Sequence, residues 1–323
     1  MKQARISRHG GPDVIEIIEA GLSAPGPGEV QLAHTAIGLN YIDTYHRTGL
    51  YPLALPTGLG LEAAGVVTAV GAGVTNLRVG DRVAYGTGPV GAYSTARNIA
   101  AEKLVLVPEG VSDETAAAMM LKGMTARFLL KQTYPVKAGD TILVHAAAGG
   151  VGLILCQWAK SLGVTVIGTA GGAAKCALAA AHGAAHVIDY TREDVVARVR
   201  EITGGKGVPV VYDGVGKDTF MKSLDCLAPR GLLVCFGNAS GPVPPFDLQL
   251  LAARGSLYVT RPTLVTHVAN VADLRANAAD LFAAVASGAV KIEIGQRYRL
   301  EEAARAHAEL EARKTTGSSV LLV

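Results

Sequence analysis

The sequence predicts an α/β protein in which a doubly wound parallel sheet is inserted between two pieces of a second, mainly-β domain. The main indication is the alternation of strand-like and helical segments between residues 141 and 260, because strand–helix–strand repeats at this spacing build parallel sheets. Short strand-like segments separated by glycine turns precede this region, and a mixed pattern follows it. The length of 323 residues also exceeds the usual size of one compact core.

The first part of the chain contains short strands. Residues 30–36 alternate loosely in hydropathy, residues 64–70 are rich in valine, and a Gly80-Asp81 turn precedes residues 82–85. These segments are typical of a mainly-β domain.

A change of pattern follows Ser112, the predicted N-cap of an alanine-rich helix over residues 113–120. Glycines at 163 and 183 are predicted to end two crossover helices. The predicted elements of the parallel sheet are strands at 141–145, 164–168, 187–189, 208–213, 231–237 and 256–260, and helices at 151–162 and 175–182. The predicted elements after it are a helix at 280–286, a strand at 291–294, a helix at 301–312 and a strand at 319–323. We therefore predict an outer domain from residues 1–122 and 263–323, with residues 123–262 inserted between them.

Composition and charge exclude several classes of protein. Half of the residues are apolar, 18% are charged, and the net charge is only +3, so neither a nucleic-acid partner nor membrane insertion is expected. The four cysteines form no CxxC pair and are expected to be free thiols in a reducing compartment. The N-terminal residues lack the apolar region of a signal peptide, and a cytoplasmic location is predicted.

The clearest functional motif is the glycine turn at residues 145–152, between a predicted strand and a predicted helix. Aligned with the dinucleotide fingerprint G-x-G-x-x-G, it gives Ala147, Gly149 and Gly152, so alanine replaces the first glycine. Gly149 would let the backbone approach a pyrophosphate, and Gly152 would let the helix pack closely on the strand. The helix N-terminus offers free N–H groups to phosphates. The motif therefore predicts dinucleotide binding, with a purely structural turn as the alternative.

The residues after the second strand favour NADPH over NADH. An NAD site places an acidic residue on the ribose about 20 residues beyond the fingerprint, but no Asp or Glu lies between Asp140 and Asp189. The second strand is followed by small residues up to Gly172, which leave room for a 2′-phosphate. Lys175 supplies a positive charge and Tyr190 a hydroxyl. The alternative for Lys175 is a solvated lysine on a helix.

The glycine turn and several other segments resemble the zinc-free, zeta-crystallin-like quinone oxidoreductase branch of the medium-chain dehydrogenase/reductase superfamily. The similarity extends nearly over the whole chain, and its segments are 38–45, 58–65, 145–152, 211–213, 235–238 and 257–262. The resemblance implies a split GroES-like catalytic domain around a Rossmann domain that binds NADPH. It further implies a quinone or enone substrate and a homodimer joined through the Rossmann domains.

The resemblance also assigns the site residues. The residues it places at the nicotinamide cleft are Asn40, Tyr45, Lys122 and Thr125. The contacts it gives to the rest of NADPH are Gly149, Gly150 and Val151 at the pyrophosphate, Gly172, Lys175 and Tyr190 at the 2′-phosphate, and Phe236, Gly237, Asn238, Arg261 and Arg313.

One departure from the wider superfamily bears on the chemistry. Zinc alcohol dehydrogenases carry a cysteine ligand near the position of Asn40 and a Gly-His-Glu motif. Here no cysteine precedes Cys156, and Leu61 stands between Gly60 and Glu62 where the histidine would be. A catalytic zinc needs about three protein ligands, so no metal site is expected and alcohol oxidation is disfavoured.

Quinones and enones are electron-poor and can accept a hydride without a metal once the two rings stack in a dry cleft. Tyr45 and Asn40 are the candidate donors to the developing oxyanion, and packing on the nicotinamide is the alternative for Tyr45. Water is the candidate proton donor, and Asp43 is expected to orient its loop. The competing functions are a 2-alkenal/enone reductase and a non-catalytic NADPH- or RNA-binding protein.

Overall fold

The computed structural model describes residues 1–323, and the chain divides into two compact units. Unit 1 comprises Met1–Met124, Val268–Ala286 and Ile292–Val323. Unit 2 comprises Thr125–His267 and Ser287–Lys291. The chain thus builds part of unit 1, then nearly all of unit 2, and then returns to unit 1.

Sixteen strands and ten α-helices form the two units. The strands are β1 (Lys2–Ile6), β2 (Glu16–Glu19), β3 (Glu29–Leu39), β4 (Thr57–Gly58), β5 (Glu62–Val70), β6 (Arg82–Tyr85), β7 (Ala96–Ala100), β8 (Val105–Leu106), β9 (Thr141–Val144), β10 (Thr165–Ala170), β11 (His186–Asp189), β12 (Val208–Asp213), β13 (Leu227–Cys235), β14 (Tyr258–Thr260), β15 (Ile294–Arg299) and β16 (Ser318–Leu322). The helices are α1 (Tyr41–Thr48), α2 (Asp113–Phe128), α3 (Gly150–Ser161), α4 (Ala173–Ala181), α5 (Val195–Ile202), α6 (Phe220–Cys226), α7 (Gln249–Ala253), α8 (Leu264–His267), α9 (Val271–Ala286) and α10 (Ala303–Glu311). The single turns are 3-10 helices at Pro12–Val14, Ala101–Lys103 and Leu300–Glu302, and a π-helix at Leu129–Thr133. No helix has both the length and the apolar character that a membrane span requires.

Unit 1 is built on a largely antiparallel sheet in the order β15-β16-β3-β5-β6-β8, with β7 also paired to β3. A smaller sheet has the order β2-β1-β4. Strand β3 is central because it pairs with β5, β7 and β16. Its register places Gly38 opposite Glu62 at the start of β5, so the end of β3, where α1 begins, lies beside the start of β5.

Unit 2 contains a six-stranded parallel sheet in the order β11-β10-β9-β12-β13-β14. In the order of the chain this is 3-2-1-4-5-6, the doubly wound arrangement of dinucleotide-binding domains. The direction of winding reverses between β9 and β12, and ligands of such sheets bind at the carboxyl ends of the strands at this switch point. The apolar core beneath it includes Leu143, Ile167, Val211 and Leu233, one residue from each central strand.

The predicted strands and crossover helices of the parallel sheet are confirmed, with shifted ends. Ser112 is the cap of α2, because the Thr115 N–H donates to the Ser112 hydroxyl over 3.1 Å, but the helix continues to Phe128 rather than ending at 120. The predicted strand 231–237 begins earlier, as Leu227–Cys235. The sequence pattern did not indicate this start, because Pro229 and the left-handed Arg230 (φ 61°) are atypical of a strand.

Five helices have no counterpart in the sequence prediction, namely α1, α5, α6, α7 and α8. Helix α1 has eight residues and a polar composition, and it is fixed by a capping box between Asn40 and Asp43 rather than by an apolar stripe. Helix α5 is capped by Asp194, whose side chain accepts from the Ala197 N–H over 2.8 Å. Helix α9 begins at Val271, nine residues before the predicted start. Short helices are not detected from hydrophobic periodicity, because too few of their residues face the core to form a periodic pattern.

Candidate functional site

The glycine turn of unit 2 lies at the switch point of the sheet, between β9 and α3. Ala146 adopts a left-handed φ of 53°, and its carbonyl accepts from the Gly149 N–H over 2.9 Å. Gly149 then forms the extended N-cap of α3. The first-turn N–H groups of a helix have no partner inside it, so those of Gly150 and Val151 are available to a phosphate at this position.

Gly152 is required by close packing. A Cβ atom at Gly152 would lie 2.3 Å from the carbonyl oxygen of Ala146 and 2.8 Å from main-chain atoms of Ala147. Backbone atoms cannot rotate away as a flexible side chain could. The position that the fingerprint gives to its last glycine is therefore one that holds α3 against β9.

The turn after β10 contains Gly171 and Gly172, the second with φ 86°. Asp189 at the end of β11 organises this turn, because its Oδ1 accepts from the Gly172 N–H over 3.0 Å and from the Thr191 hydroxyl over 2.7 Å. These hydrogen bonds, led by that from Gly172, lower the pKa of Asp189. Tyr190 lies over the turn, so that a Cβ at Gly171 would come within 2.5 Å of its hydroxyl. The half-buried Lys175 follows in the first turn of α4.

The ends of β12 and β13 meet through backbone contacts. The Phe236 N–H donates to the Asp213 carbonyl over 2.8 Å. A Cβ at Gly237 would lie 2.3 Å from the carbonyl oxygen of Gly214, and the Phe236 ring packs on Gly214. Glycine at 237 therefore permits the loops after β12 and β13 to touch.

A buried hydrogen-bond chain supports the floor of the turn. The Ser223 hydroxyl donates to Asp213 over 2.8 Å and therefore accepts from His145 Nε2 over 3.0 Å. His145 Nδ1 in turn accepts from the Thr169 hydroxyl over 2.9 Å. Burial lowers the pKa of His145, which keeps the ring neutral. Asp213 also accepts from the Val215 and Gly216 N–H groups and so shapes its own turn.

The other predicted cofactor residues of unit 2 occupy its surface loops and one helix. Arg261 is exposed beyond β14 and donates to the Cys235 carbonyl over 2.9 Å. Asn238 is half-buried after Gly237, and Thr125 is buried in the second half of α2. Within unit 2 the structure brings Arg261 to the end of β13, and it places Lys175 and Tyr190 at the neighbouring ends of β10 and β11.

In unit 1 the predicted residues Asn40 and Lys122 meet at a residue that the sequence prediction did not include, Glu62. The Asn40 amide Nδ2 donates to Glu62 Oε2 over 2.7 Å, and Lys122 Nζ lies 3.1 Å from the same oxygen. The Leu121 N–H donates to Glu62 Oε1 over 2.7 Å. Glu62 is completely buried and Lys122 is 5% exposed. We call these four residues the Glu62 cluster.

Asp43 holds the backbone of Asn40. Its Oδ2 accepts from the Asn40 N–H over 2.9 Å and from the Tyr93 hydroxyl over 2.9 Å, as expected for a residue that orients its loop. Burial raises the pKa of Asp43 to about 7, against the lowering effect of these hydrogen bonds. Glu62 and Asp43 thus fix the side chain and the main chain of Asn40.

Tyr45 lies in an aromatic cluster on α1. Its ring centroid is 5.2 Å from that of Tyr51, in an edge-on arrangement, and 6.0 Å from that of Tyr41. The side chain is 7% exposed. The structure therefore places Tyr45 one helical turn beyond Asn40, packed between two other tyrosines.

A buried chain of polar groups joins α1 to α10. Arg47 is 1% exposed. Its guanidinium forms a bidentate ion pair with Glu311, over 2.7 and 2.9 Å, and donates to His307 Nδ1 over 3.0 Å. His307 Nε2 lies 3.1 Å from the Tyr93 hydroxyl. Burial, followed by the charge of Arg47, lowers the pKa of His307 to about 3. Arg313 is exposed just beyond α10, with a left-handed φ of 57°.

The sequence contained an indication of the role of Glu62. This residue follows Gly60 and Leu61 and corresponds to the glutamate of the Gly-His-Glu motif. The comparison with that motif considered only the missing histidine and not the glutamate. In the structure no three His, Cys, Asp or Glu side chains are grouped so that they could hold a metal ion.

The doubly wound sheet with a glycine turn at its switch point defines a dinucleotide-binding fold. Two family models match the chain: the alcohol dehydrogenase GroES-like domain over residues 26–109 and the zinc-binding dehydrogenase over residues 150–283. A quinone oxidoreductase of Pseudomonas aeruginosa is 58% identical, with 99% of each chain covered. A crystal structure of Escherichia coli quinone oxidoreductase complexed with NADPH is 49% identical, with a TM-score of 0.99 and all of both chains covered. A 2-haloacrylate reductase of a Burkholderia species is 48% identical over 99% of this chain and 98% of its own.

The chain therefore belongs to the quinone oxidoreductase family of the medium-chain dehydrogenase/reductase superfamily.

Proposed function

We propose that this protein is an NADPH-dependent, zinc-independent quinone reductase. The observation that carries the proposal is the glycine turn at the switch point of unit 2, in a chain whose full-length relative from Escherichia coli is complexed with NADPH. The same turn chemistry serves every dinucleotide, so the acceptor is inferred from the relatives named as quinone oxidoreductases.

The residues of unit 2 fit NADPH. We assign the pyrophosphate to Gly149, Gly150 and Val151, where the N–H groups of the first turn of α3 have no partner inside the helix. We assign the adenosine 2′-phosphate to the turn after β10, where the acidic group of Asp189 is already hydrogen bonded to the turn itself. The residues assigned to the 2′-phosphate are Gly172, Lys175 and Tyr190. The remaining proposed contacts are Asn40, Tyr45, Lys122, Thr125, Phe236, Gly237, Asn238, Arg261 and Arg313.

The chemistry follows from positioning. Bound NADPH supplies a hydride, and one proton from water completes the conversion of a quinone to a hydroquinone. Asn40 and Tyr45 are proposed to line the place where the acceptor ring lies, with Tyr45 held between Tyr41 and Tyr51. A dry, shaped pocket that fixes two flat rings supplies much of the rate enhancement. No cysteine ligand precedes Cys156, so the proposed reaction uses no zinc.

A second candidate is reduction of a 2-alkenal, enone or haloacrylate with the same cofactor. The observation that favours it is the 48% identity to a 2-haloacrylate reductase over nearly the whole chain. A non-catalytic NADPH- or RNA-binding role is the third candidate, and the net charge of +3 disfavours RNA.

A substrate screen separates these candidates. Oxidation of NADPH is followed by absorbance with benzoquinone, naphthoquinone, a 2-alkenal and a 2-haloacrylate. We expect the highest kcat/KM with a quinone. Turnover of an alkenal or haloacrylate with every quinone inactive would establish the second candidate, and no turnover at all with tight NADPH binding would favour the third.

We further propose a cytoplasmic homodimer joined through the parallel sheets. Strand β14 is an edge strand that pairs only with β13, and an open edge can add a strand from a second copy. Tyr258 on this strand is 60% exposed, and Leu248, just before α7, and Val265, on α8, are also exposed. Light scattering should give twice the chain mass, and a monomer at micromolar concentration would contradict the proposal.

The division of labour between segments is also a proposal. We assign catalysis to residues 1–122 and 263–323 and cofactor binding to residues 123–262. It is supported by the two compact units, whose main boundaries fall at Met124 and His267.

A further inference from the structure

The carboxylate of Glu62 occupies a space that two glycines keep open. A Cβ at Gly38, its partner across β3 and β5, would lie 2.2 Å from Glu62 Oε2 and 2.3 Å from the Ala117 carbonyl oxygen. A Cβ at Gly86 would lie 2.6 Å from the Leu121 nitrogen. The backbone of α2 thus approaches the sheet closely enough to give Glu62 a main-chain donor, and the cluster is built around this one carboxylate.

The side-chain donors that meet at Glu62 differ in how many of their N–H groups already have a protein acceptor. The Asn40 amide nitrogen has two N–H groups, and its acceptors are Glu62 Oε2 at 2.7 Å and the Gly38 carbonyl at 3.4 Å. The Lys122 ammonium has three N–H groups and one protein acceptor, Glu62 at 3.1 Å. Lys122 therefore retains donors for another oxygen, whereas Asn40 does not.

We propose that Glu62 is a positioning residue that locks the Asn40 amide and presents the Lys122 ammonium as the hydrogen-bond donor to the oxygen of the acceptor. The proposal rests on the proposed reductase function. When a hydride adds to the acceptor, one negative charge develops on its oxygen. Lys122 donates a hydrogen bond to that oxygen, and the proton that completes the product comes from water.

The physical reason for using a buried ion pair is preorganisation. A buried pair adds little net stability compared with apolar residues of similar volume, because desolvation costs about as much as the charges gain. A donor that is already desolvated and fixed stabilises a developing oxyanion without reorganisation during the reaction. Lys122 is held in this state by the carboxylate of Glu62.

Three variants test the proposal: Glu62→Gln, Lys122→Met and the double variant. Glu62→Gln leaves a buried ammonium without its counter-charge, so we expect a lower melting temperature. The double variant removes both charges, and we expect the melting temperature to return toward that of the wild type. Its kcat with benzoquinone should nevertheless stay about a hundredfold below the wild-type value, as when one oxyanion donor is removed. KM for the quinone should change by less than about threefold, because the hydrogen bond to the acceptor oxygen acts mainly in the transition state. The rates are measured at saturating NADPH, since Lys122 is also a proposed contact of the cofactor.

The decisive result is a double variant whose melting temperature recovers while its kcat stays low. A double variant with wild-type kcat would show that the pair is merely structural and would overturn the proposal. If the double variant does not fold, Lys122→Met alone decides, since wild-type kcat in that variant would contradict the role of Lys122. The matched control is the exposed pair of Arg297 and Glu114, 2.7 Å apart, whose double variant Arg297→Met/Glu114→Gln should keep wild-type kcat.

The failure of the proposed function looks different. A wild-type protein that fails to oxidise NADPH with any quinone, alkenal or haloacrylate would refute the proposed function. An active wild type with an equally active double variant would refute only the roles of Glu62 and Lys122.

Discussion

The glycine turn of unit 2 and the Glu62 cluster of unit 1 organise polar groups in opposite ways. The turn offers main-chain N–H groups that come from a few consecutive residues, and its shape depends on the absence of a side chain at Gly152. The cluster depends on charged side chains from β5 and α2, 60 residues apart in the chain. A backbone site is therefore recognisable as a local motif, whereas a side-chain site appears only after the chain has folded.

The two regions also differ in what their loss should cost. Removing one partner of a buried ion pair leaves an uncompensated charge, which costs more than most other single changes. Adding a methyl group to a tight turn costs less, but it changes the place where the cofactor is proposed to bind. Four predictions test this contrast, in order of decreasing expected change in the free energy of unfolding or of cofactor binding.

The largest effect is expected for Arg47→Ala in unit 1. The guanidinium is 1% exposed, and its loss leaves the buried His307 and the Gly10 carbonyl without their donor, whereas the side chain of Glu311 is 33% exposed. We expect the free energy of unfolding to fall by about 3–5 kcal/mol, because the truncation leaves a cavity and unpaired buried acceptors, as measured by urea denaturation. The control is Arg78→Ala, because Arg78 is 89% exposed beside Asp81 and should lose less than about 1 kcal/mol. Equal losses for the two variants would show that burial does not set the cost.

Gly152→Ala tests the packing of unit 2. The added Cβ would lie 2.3 Å from the Ala146 carbonyl oxygen, so α3 must shift away from β9. We expect about 3 kcal/mol of destabilisation together with weaker NADPH binding, measured by thermal unfolding and fluorescence titration. Gly21→Ala is the control, because a Cβ there has no atom within 4 Å. Unchanged NADPH binding in Gly152→Ala would break the link between this turn and the cofactor.

Lys175→Ala tests which part of unit 2 reads the 2′-phosphate. A charge-assisted hydrogen bond contributes about 2 kcal/mol, so the Kd for NADPH should rise by about thirtyfold, with a far smaller change for NADH. Lys160→Ala, at the exposed end of α3, should change neither. Equal losses of NADPH and NADH affinity would mean that Lys175 does not contact the 2′-phosphate.

The smallest effect concerns the pH dependence of unit 1. Burial, the main cause, lowers the pKa of His34 to about 4. Its Nδ1 donates to the Ser94 carbonyl over 2.8 Å, and its Nε2 accepts from the Tyr85 hydroxyl over 3.0 Å. Because the unfolded chain binds a proton below about pH 6.5 and the folded chain does not, stability decreases as the pH falls from about 6.5 toward 4.

His34→Gln removes this contribution. At pH 5.5 the wild type should lose about 1.4 kcal/mol through this residue, relative to pH 7.5, and the variant should not. The measurement is the difference in unfolding free energy between the two pH values. His186→Gln, on an exposed residue of unit 2, is the control and should keep the wild-type pH dependence. An unchanged slope in His34→Gln would remove His34 as the source.

The sequence determined the parallel sheet of unit 2, because each crossover combines an apolar strand, a glycine turn and a helix within about 30 residues. It also determined the turn at Gly149 and Gly152, whose chemistry belongs to consecutive main-chain atoms. The start of β13 was missed, because Pro229 and a left-handed Arg230 break the strand pattern locally while pairing with β12 maintains it. Helix α1 was missed because its capping box and its contacts with α10 replace an apolar stripe.

Tertiary structure alone decided the side-chain sites. The sequence suggested that Asn40 and Lys122 matter through resemblance, but not that both converge on Glu62. Nor did it show the pairing of Arg47 with Glu311, which are 264 residues apart. Local backbone geometry is encoded by neighbouring residues, so it can be predicted from a short segment. A buried charge is stable only where the fold brings its partner within hydrogen-bond distance, and that partner is fixed by the packing of the whole unit.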